Sequence, residues 1–346
     1  MILKNCKCNT FLIIATVTLV YVLFIVFTTV YRHFIFINVV KTTEIYIPTG
    51  SNFDDVLAIL NNEKILKDER MFINGAKRAK YTQVRSGKYR VIKGMRNREL
   101  IRILASGRQI PVKLTIAGNI RDVEKLSSII ARQLEVDSVE MQSTLNDLKI
   151  INKLGFTKDN ILSLFIPNTY EVYWNISSEN VMDRMKREYD RFWNEERTNK
   201  LKNIGITREE AIIAASIVNE ETNKTDEMPR VAGVYINRLN RKMKLDADPT
   251  LKFAVGDFTL KRVLDKHKEI ESPYNTYKNI GLPPGPICMP SIAAIDAVLN
   301  YEKHDYLYFC AKDDFSGYHA FSKTLAQHNQ YASAWHAALN RNKIYK

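Results

Sequence analysis

A charge-free run from Phe11 to Tyr31 constrains this chain more than any other feature. Its residues are apolar, aromatic or threonine, and in a helix about twenty such residues cross a hydrocarbon core of roughly 30 Å. A cleavable secretory signal has a shorter apolar stretch that ends in small residues. Here Tyr31, Phe34 and Phe36 continue bulky. The expectation is an uncleaved signal anchor, with residues 1–40 forming a short tail and a transmembrane helix. Lys4 and Lys7 precede the run, and Arg32 and Lys41 follow it, so the positive-inside rule tilts the amino terminus weakly inward. No later segment has the length to span. Everything downstream is therefore expected on one side, outside the cytoplasm.

The chain has 346 residues, enough for two or three domains. A net charge of +13 permits nucleic acid, anionic head groups or an acidic polymer as partners. The basic residues read as interleaved with acidic ones, a solvated surface, and no arginine–aromatic module stands out. Nucleic acid is not expected of a chain anchored outside the cell. Cys6 and Cys8 precede the apolar run and have no histidine near them, which argues against a metal site. Cys288 and Cys310 follow it, and their spacing leaves a disulfide open.

Periodicity sketches the rest as an α+β protein. Glu44–Pro48 reads as a strand. Ser51 caps a helix over 52–60, whose Phe53, Val56, Leu57 and Leu60 make one apolar face. A second helix spans 68–80. Ser86–Val91 is a strand, 97–105 a helix stopped by Gly107, and Ile110–Ile116 a strand. Residues 41–117 thus form a small αβ module, which resembles the LysM type used to bind N-acetylglucosamine polymers; a packing or spacer role fits as well. Residues 118–205 read as a mostly helical intermediate region. It is broken at Phe165–Trp174, where a proline and clustered aromatics predict a turn packed on a neighbour, and a highly charged helix is expected over 179–198.

Chemistry gathers in residues 206–346. Thr207 and Glu210 make a capping box at the start of a helix through Ala214-Ala-Ser-Ile-Val-Asn-Glu-Glu-Thr222. At 3.6 residues per turn Glu221 shares a face with Ala214, Ile217 and Val218. A carboxyl on such a face loses water, its pKa rises, and it becomes a general acid near neutral pH. Glu220 sits about a quarter turn away, and repulsion between the two raises one of them further. Pro229 opens the next helix.

Six motifs then occur in order: Ala215-Ser-Ile-Val with Glu221-Thr222; Val231-Ala with Ile236-Asn-Arg-Leu239; Met243 and Leu245 with Asp248-Pro-Thr250; Asn275-Thr-Tyr277; Gly281-Leu-Pro-Pro-Gly285; and His319, Phe321 and His328-Asn329. Together they resemble the YceG-like family, the membrane-anchored endolytic murein transglycosylases. The chain departs from that family's pattern at Asn219 and Glu220, where the family has glutamate and lysine, and at Asn168, where it has aspartate.

The resemblance implies an α+β lytic transglycosylase domain over 206–346, with Glu221 as the catalytic acid and then base. It would cleave the bond between N-acetylmuramic acid and N-acetylglucosamine within nascent peptidoglycan strands and leave 1,6-anhydro ends. Neither metal nor cofactor is implied. The implied partners are glycan strands and peptidoglycan synthases, at the periplasmic side of the inner membrane. Asn237, Arg238, Asp248, Thr250, Asn275, Tyr277, His319, Phe321, His328 and Asn329 become candidate substrate contacts. Asp248 has a second reading, as a cap on the helix after Pro249. The competing functions are a lysozyme-type hydrolase using Asp248 or Glu220 as a second carboxylate, and an inactive membrane-anchored glycan-binding scaffold.

Overall fold

The computed structural model describes residues 2–31, 35–260 and 263–342, with side chains from residue 12 onward except 29 and 30. Cys6, Cys8, Arg32 and Phe34 lie outside the described side chains. Residues 1–113 and 171–176 make one compact unit; residues 114–170 and 177–346 make a second.

The first unit opens with α1 (Ile2–Val30), a single helix as the apolar run predicts. Its described large apolar side chains, from Leu12 to Phe27, are exposed. Among the described residues no helix is long and apolar enough to cross a membrane, so the fold alone does not establish the expected span. Next come β1 (Thr43–Ile47), α2 (Phe53–Asn62), α3 (Glu69–Arg78), β2 (Gly87–Val91) and α4 (Asn97–Ser106). β1 and β2 pair antiparallel, from Thr43 opposite Val91 to Ile47 opposite Gly87. The alternation puts Ile45, Ile47, Tyr89 and Val91 on one face, and these pack with Val56, Leu60, Phe72, Leu100 and Leu104 into a core. α2 starts one residue later than expected. Asn52, not Ser51, is its cap, because the Asn52 side-chain Oδ1 accepts from Asp54 N and Asp55 N while the Asp55 carboxylate accepts from Asn52 N. Gly107 ends α4 at φ +67°, a left-handed turn that glycine adopts at no steric cost.

The second unit is mainly helical. In chain order it contains α5 (Val123–Ala131), α6 (Ser138–Asn146), α7 (Leu148–Lys153), α8 (Ser178–Phe192), α9 (Glu195–Ile204), α10 (Arg208–Glu221), α11 (Met228–Asn240), α12 (Asp248–Val255), α13 (Asp265–Lys268), α14 (Ile292–Leu299) and α15 (Leu325–Arg341). β3 (Val112–Ile116) pairs with β4 (Asn168–Val172), and β5 (Tyr308–Ala311) with β6 (His319–Ser322). The predicted turn over 165–174 therefore holds a strand. Tyr170 is buried there, with its hydroxyl donated to Ile166 O. The single helix expected over 179–198 is two, because Asn194 accepts from Arg197 N and starts a new cap while Trp193 is buried at the break.

α10 is the centre of this unit. Every side chain from Ala211 to Val218 is buried, and small residues at 211, 214, 215 and 216 let neighbouring elements close on it. Ser216 donates to Ile213 O at 2.7 Å and accepts from Ile287 N at 3.1 Å. Cys288 and Cys310 are both free thiols, so the disulfide left open by their spacing is not formed. Burial pushes the Cys288 thiol far up.

Candidate active site

α10 carries a carboxyl group partly out of water. At its start the Thr207 hydroxyl accepts from Glu210 N at 3.1 Å and the Glu210 carboxylate accepts from Thr207 N at 2.7 Å. The helix stops at Thr222, whose φ of −146° and ψ of 139° are extended. Glu221 thus closes the last turn, where the negative end of the helix dipole disfavours an ionised carboxyl.

Glu221 is part-buried, and Tyr235 on α11 donates its hydroxyl to Glu221 Oε1 at 2.6 Å. Burial pushes the Glu221 pKa up to about 7; the Tyr235 hydrogen bond and Lys252 pull it down, while the charges of Asp248 and Glu220 add to the rise. Burial wins because one phenol does not replace a hydration shell. A carboxyl titrating at about 7 holds both protonation states at neutral pH, as a group that gives and then retrieves a proton requires.

A second phenol–carboxylate pair lies within the same field. Tyr277 donates its hydroxyl to Asp248 Oδ1 at 2.6 Å, and burial together with that carboxylate pushes the Tyr277 hydroxyl far up. Asp248 does not cap the helix after Pro249. It is the first residue of α12, and Ala247 takes the cap position without a side-chain bond.

Glu220 faces elsewhere. Its Oε2 accepts from Arg121 Nη2 at 2.8 Å, and the Arg121 guanidinium lies 4.1 Å from the centre of the Phe258 ring. An open cavity of ≈ 450 Å³ adjoins it, lined among others by Asn119, Asn219, Asn223 and Ser291. Asn219 holds this wall, its Oδ1 accepting from Ser291 N at 3.1 Å.

Glu227 is the residue that sequence reasoning missed. It is 4% exposed and collects three donors: Thr222 Oγ1 at 3.2 Å, His319 N at 2.8 Å and His319 Nδ1 at 2.8 Å. It therefore joins the end of α10, the approach to α11 and the start of β6, which carry Glu221, Tyr235 and His319. With Nδ1 engaged, Nε2 is the ring nitrogen of His319 left for a ligand. Phe309 bridges the two sides, its ring edge-on to Tyr235 at 5.9 Å and to His319 at 5.2 Å.

The model of the YceG-like family matches residues 45–334, which include every side chain described in this site. The chain belongs to the YceG-like family. It is 30% identical over 305 residues to the endolytic murein transglycosylase of Bacillus subtilis, covering 84% of this chain and 83% of that protein. Its identity to the Streptococcus pneumoniae serotype 2 (strain D39) protein of the same name is 28% over 304 residues, covering 79% of this chain and 55% of that longer protein. The crystal structure of a protein assigned as yceG-like from Listeria monocytogenes matches with a TM-score of 0.55 and 26% identity, covering 84% of this chain and 99% of that one.

The other candidate residues of this YceG-like chain divide by what their polar atoms reach. Asn237 donates to His304 O at 2.7 Å and Tyr306 O at 3.0 Å. Arg238 donates to Leu307 O, Lys244 O and Leu245 O and to the Asp246 carboxylate, all at 2.7–3.0 Å. Thr250 bonds Ala247 O at 2.7 Å and Thr276 Oγ1 at 2.8 Å. Asn275 donates to Lys268 O and Ile270 O, both at 2.9 Å, and accepts from Tyr277 N at 3.0 Å. These four hold loops around the site. Phe321 packs on Phe309 and Tyr306, each at 5.8 Å, with the Arg230 guanidinium 5.5 Å from its ring centre. His328 lies against Tyr308 at 5.6 Å, and burial lowers its pKa. Asn329 is exposed on α15. Among the described residues no cluster of three or more His, Cys, Asp or Glu is arranged for a metal ion.

Proposed function

We propose that this chain is an endolytic peptidoglycan lytic transglycosylase in which Glu221 is the single acid–base group. The observation that carries the reading is a part-buried carboxyl at the end of α10, held by the Tyr235 hydroxyl, where burial pushes its pKa up to about 7. Protonated Glu221 gives its proton to the oxygen joining N-acetylmuramic acid to N-acetylglucosamine, and the bond from that oxygen to the muramyl C1 breaks. The resulting carboxylate takes the proton of the muramyl C6 hydroxyl, whose oxygen bonds to C1 of the same ring. The products are a free N-acetylglucosamine end and a 1,6-anhydro end. No water enters and the acid is regenerated.

Tyr277, Phe321 and the Nε2 edge of His319 are the groups we assign to the bound sugars. Ring faces pack on saccharides, and the imidazole nitrogen pairs with a hydroxyl or carboxylate. The charge-free run and the outward apolar side chains of α1 support a membrane anchor, with the catalytic unit outside the cytoplasm beside emerging strands and their synthases. The β–α–α–β order of the first unit is compatible with a LysM-like glycan-binding role.

Asp248 lies within the field of Glu221, so two-carboxylate hydrolysis is the competing chemistry. Mass analysis of purified glycan strands digested by the chain separates them: anhydro ends are expected, and products heavier by one water overturn the reading. Glu221→Gln is expected to lower cleavage by about 10³-fold, within the usual range for losing a general acid, with the circular dichroism of the parent. Cleavage at the parental rate defeats the assignment.

A further inference from the structure

The charge of this chain is concentrated, not interleaved as its sequence reading suggests. Between residues 64 and 108 stand fourteen lysines or arginines against three aspartates or glutamates, so +11 of the overall +13 resides there. Thirteen of the fourteen are exposed; Lys88 is half-buried and paired with Glu44. The charges are also segregated by element. α2 exposes Asp54 and Asp55 and has no basic residue. α3 exposes Arg70, Lys77 and Arg78 against one acid, Glu69 in its first turn, which accepts from Asn61 Nδ2 of α2 at 3.0 Å, and α4 exposes Arg98 and Arg102. These two helices lie side by side at Gly75, where an added Cβ would stand 3.2 Å from Ile101 Cδ1 and 3.5 Å from Asn97 Cβ. The close approach sets the two cation-bearing helices side by side.

We propose that the α3–α4 face of the first unit docks on an anionic phospholipid surface. The inference rests on the reading of α1 as a membrane anchor. α1 ends at Val30, and Val39 already belongs to the core of the unit. That tether reaches about 30 Å at full extension, which keeps the unit close to the head groups. The cations are spread over two helix surfaces. A described cavity of the unit, ≈ 490 Å³ and lined among others by Pro48, Gly50, Asp55 and Asn62, lies against α2 instead. A soluble linear polyanion favours a groove; a plane of phosphates favours a face. Arginine forks also match phosphate oxygens in pairs, and a basic segment beside a membrane gains attraction with each added cation.

The test uses the full chain with vesicles, then in nanodiscs, each of phosphatidylcholine alone or with about 30% phosphatidylglycerol. Hydrogen exchange of the α3 and α4 amides is followed in each. Exchange is expected to slow by about threefold or more in the anionic discs. It should return to the neutral-disc rate in about 0.5 M salt, where screening shortens to about 4 Å. The variant R70Q/K77Q/R98Q/R102Q should lose the slowing while matching the parent in neutral discs, which shows its fold intact. Equal exchange in both discs overturns the proposal. So does protection brought by poly(glycerol phosphate) in neutral discs but not by the anionic lipid, which assigns the face to a soluble polymer. Flotation with neutral vesicles reports α1 alone. A chain that floats there without an anionic effect loses the docking face but keeps its anchor. One that binds only anionic vesicles keeps the face and loses the anchor.

Discussion

Glu221 carries an opposition between burial and hydrogen bonding that has measurable consequences. Its pKa stands at about 7, above an ordinary value of 4.5, so the stability it contributes is complete below pH 4.5 and is lost as pH rises through 7. Glu221→Gln keeps an acceptor for Tyr235 and removes the charge. The variant should gain stability relative to the parent between pH 5 and pH 8, by about 1–3 kcal/mol at the upper end. Urea unfolding at both pH values checks this, and a pH-independent difference contradicts it. Tyr235 works in the other direction, since its hydroxyl favours the carboxylate. In Tyr235→Phe the pKa of Glu221 should climb, and the falling limb of the pH–rate profile should move to higher pH. A limb that stays in place would separate Tyr235 from the proton transfer.

Elements are placed by small residues as much as by large ones. Gly233 sits inside α11, where glycine ordinarily costs about 1 kcal/mol against alanine. An added Cβ there would stand 2.5 Å from Glu302 O and 2.6 Å from His304 Nε2. The glycine therefore lets α11 press against the 302–304 segment. That segment receives Asn237 and leads into β5, so the contact also seats the strand that pairs with β6 and His319. Gly233→Ala should destabilise the chain by about 2 kcal/mol, in the usual range for overpacking, and lower cleavage through the displaced hairpin. Chemical denaturation with a parallel cleavage assay measures both, and an unchanged midpoint would remove the packing argument. The helix starts are more local affairs. Asp68, Asp122, Ser177, Asn194 and Thr207 each accept a backbone N–H at the head of a helix, which is why helix positions follow closely from the residue pattern.

At the scale of the whole molecule the two units have different chemistry. The first contains the apolar helix and holds most of the net positive charge. The second holds the candidate acid and its supporting tyrosines. Deleting residues 1–31 should release the chain from phosphatidylcholine vesicles in flotation while leaving cleavage of soluble glycan strands within about twofold, as expected for a site that the deletion does not touch. A truncated chain that still floats would place membrane attachment elsewhere.

Periodicity, capping residues and ordered motifs determine the elements, the family and the identity of the candidate acid, because each depends on residues close in sequence. Glu221 was legible in this way, since its helical face is set by its neighbours at 214, 217 and 218. Glu227 was not. An acid at the entrance to a helix reads as an ordinary dipole partner, and only folding brings Thr222 and His319 onto it. The same holds for Tyr235 against Glu221, for Asp248 turning to Tyr277, and for Asn237, Arg238 and Asn275 binding backbone rather than standing open. A polar side chain declares its chemistry in one letter. Its partner is decided by which distant atoms compete for it once water has gone, and that competition exists only in three dimensions.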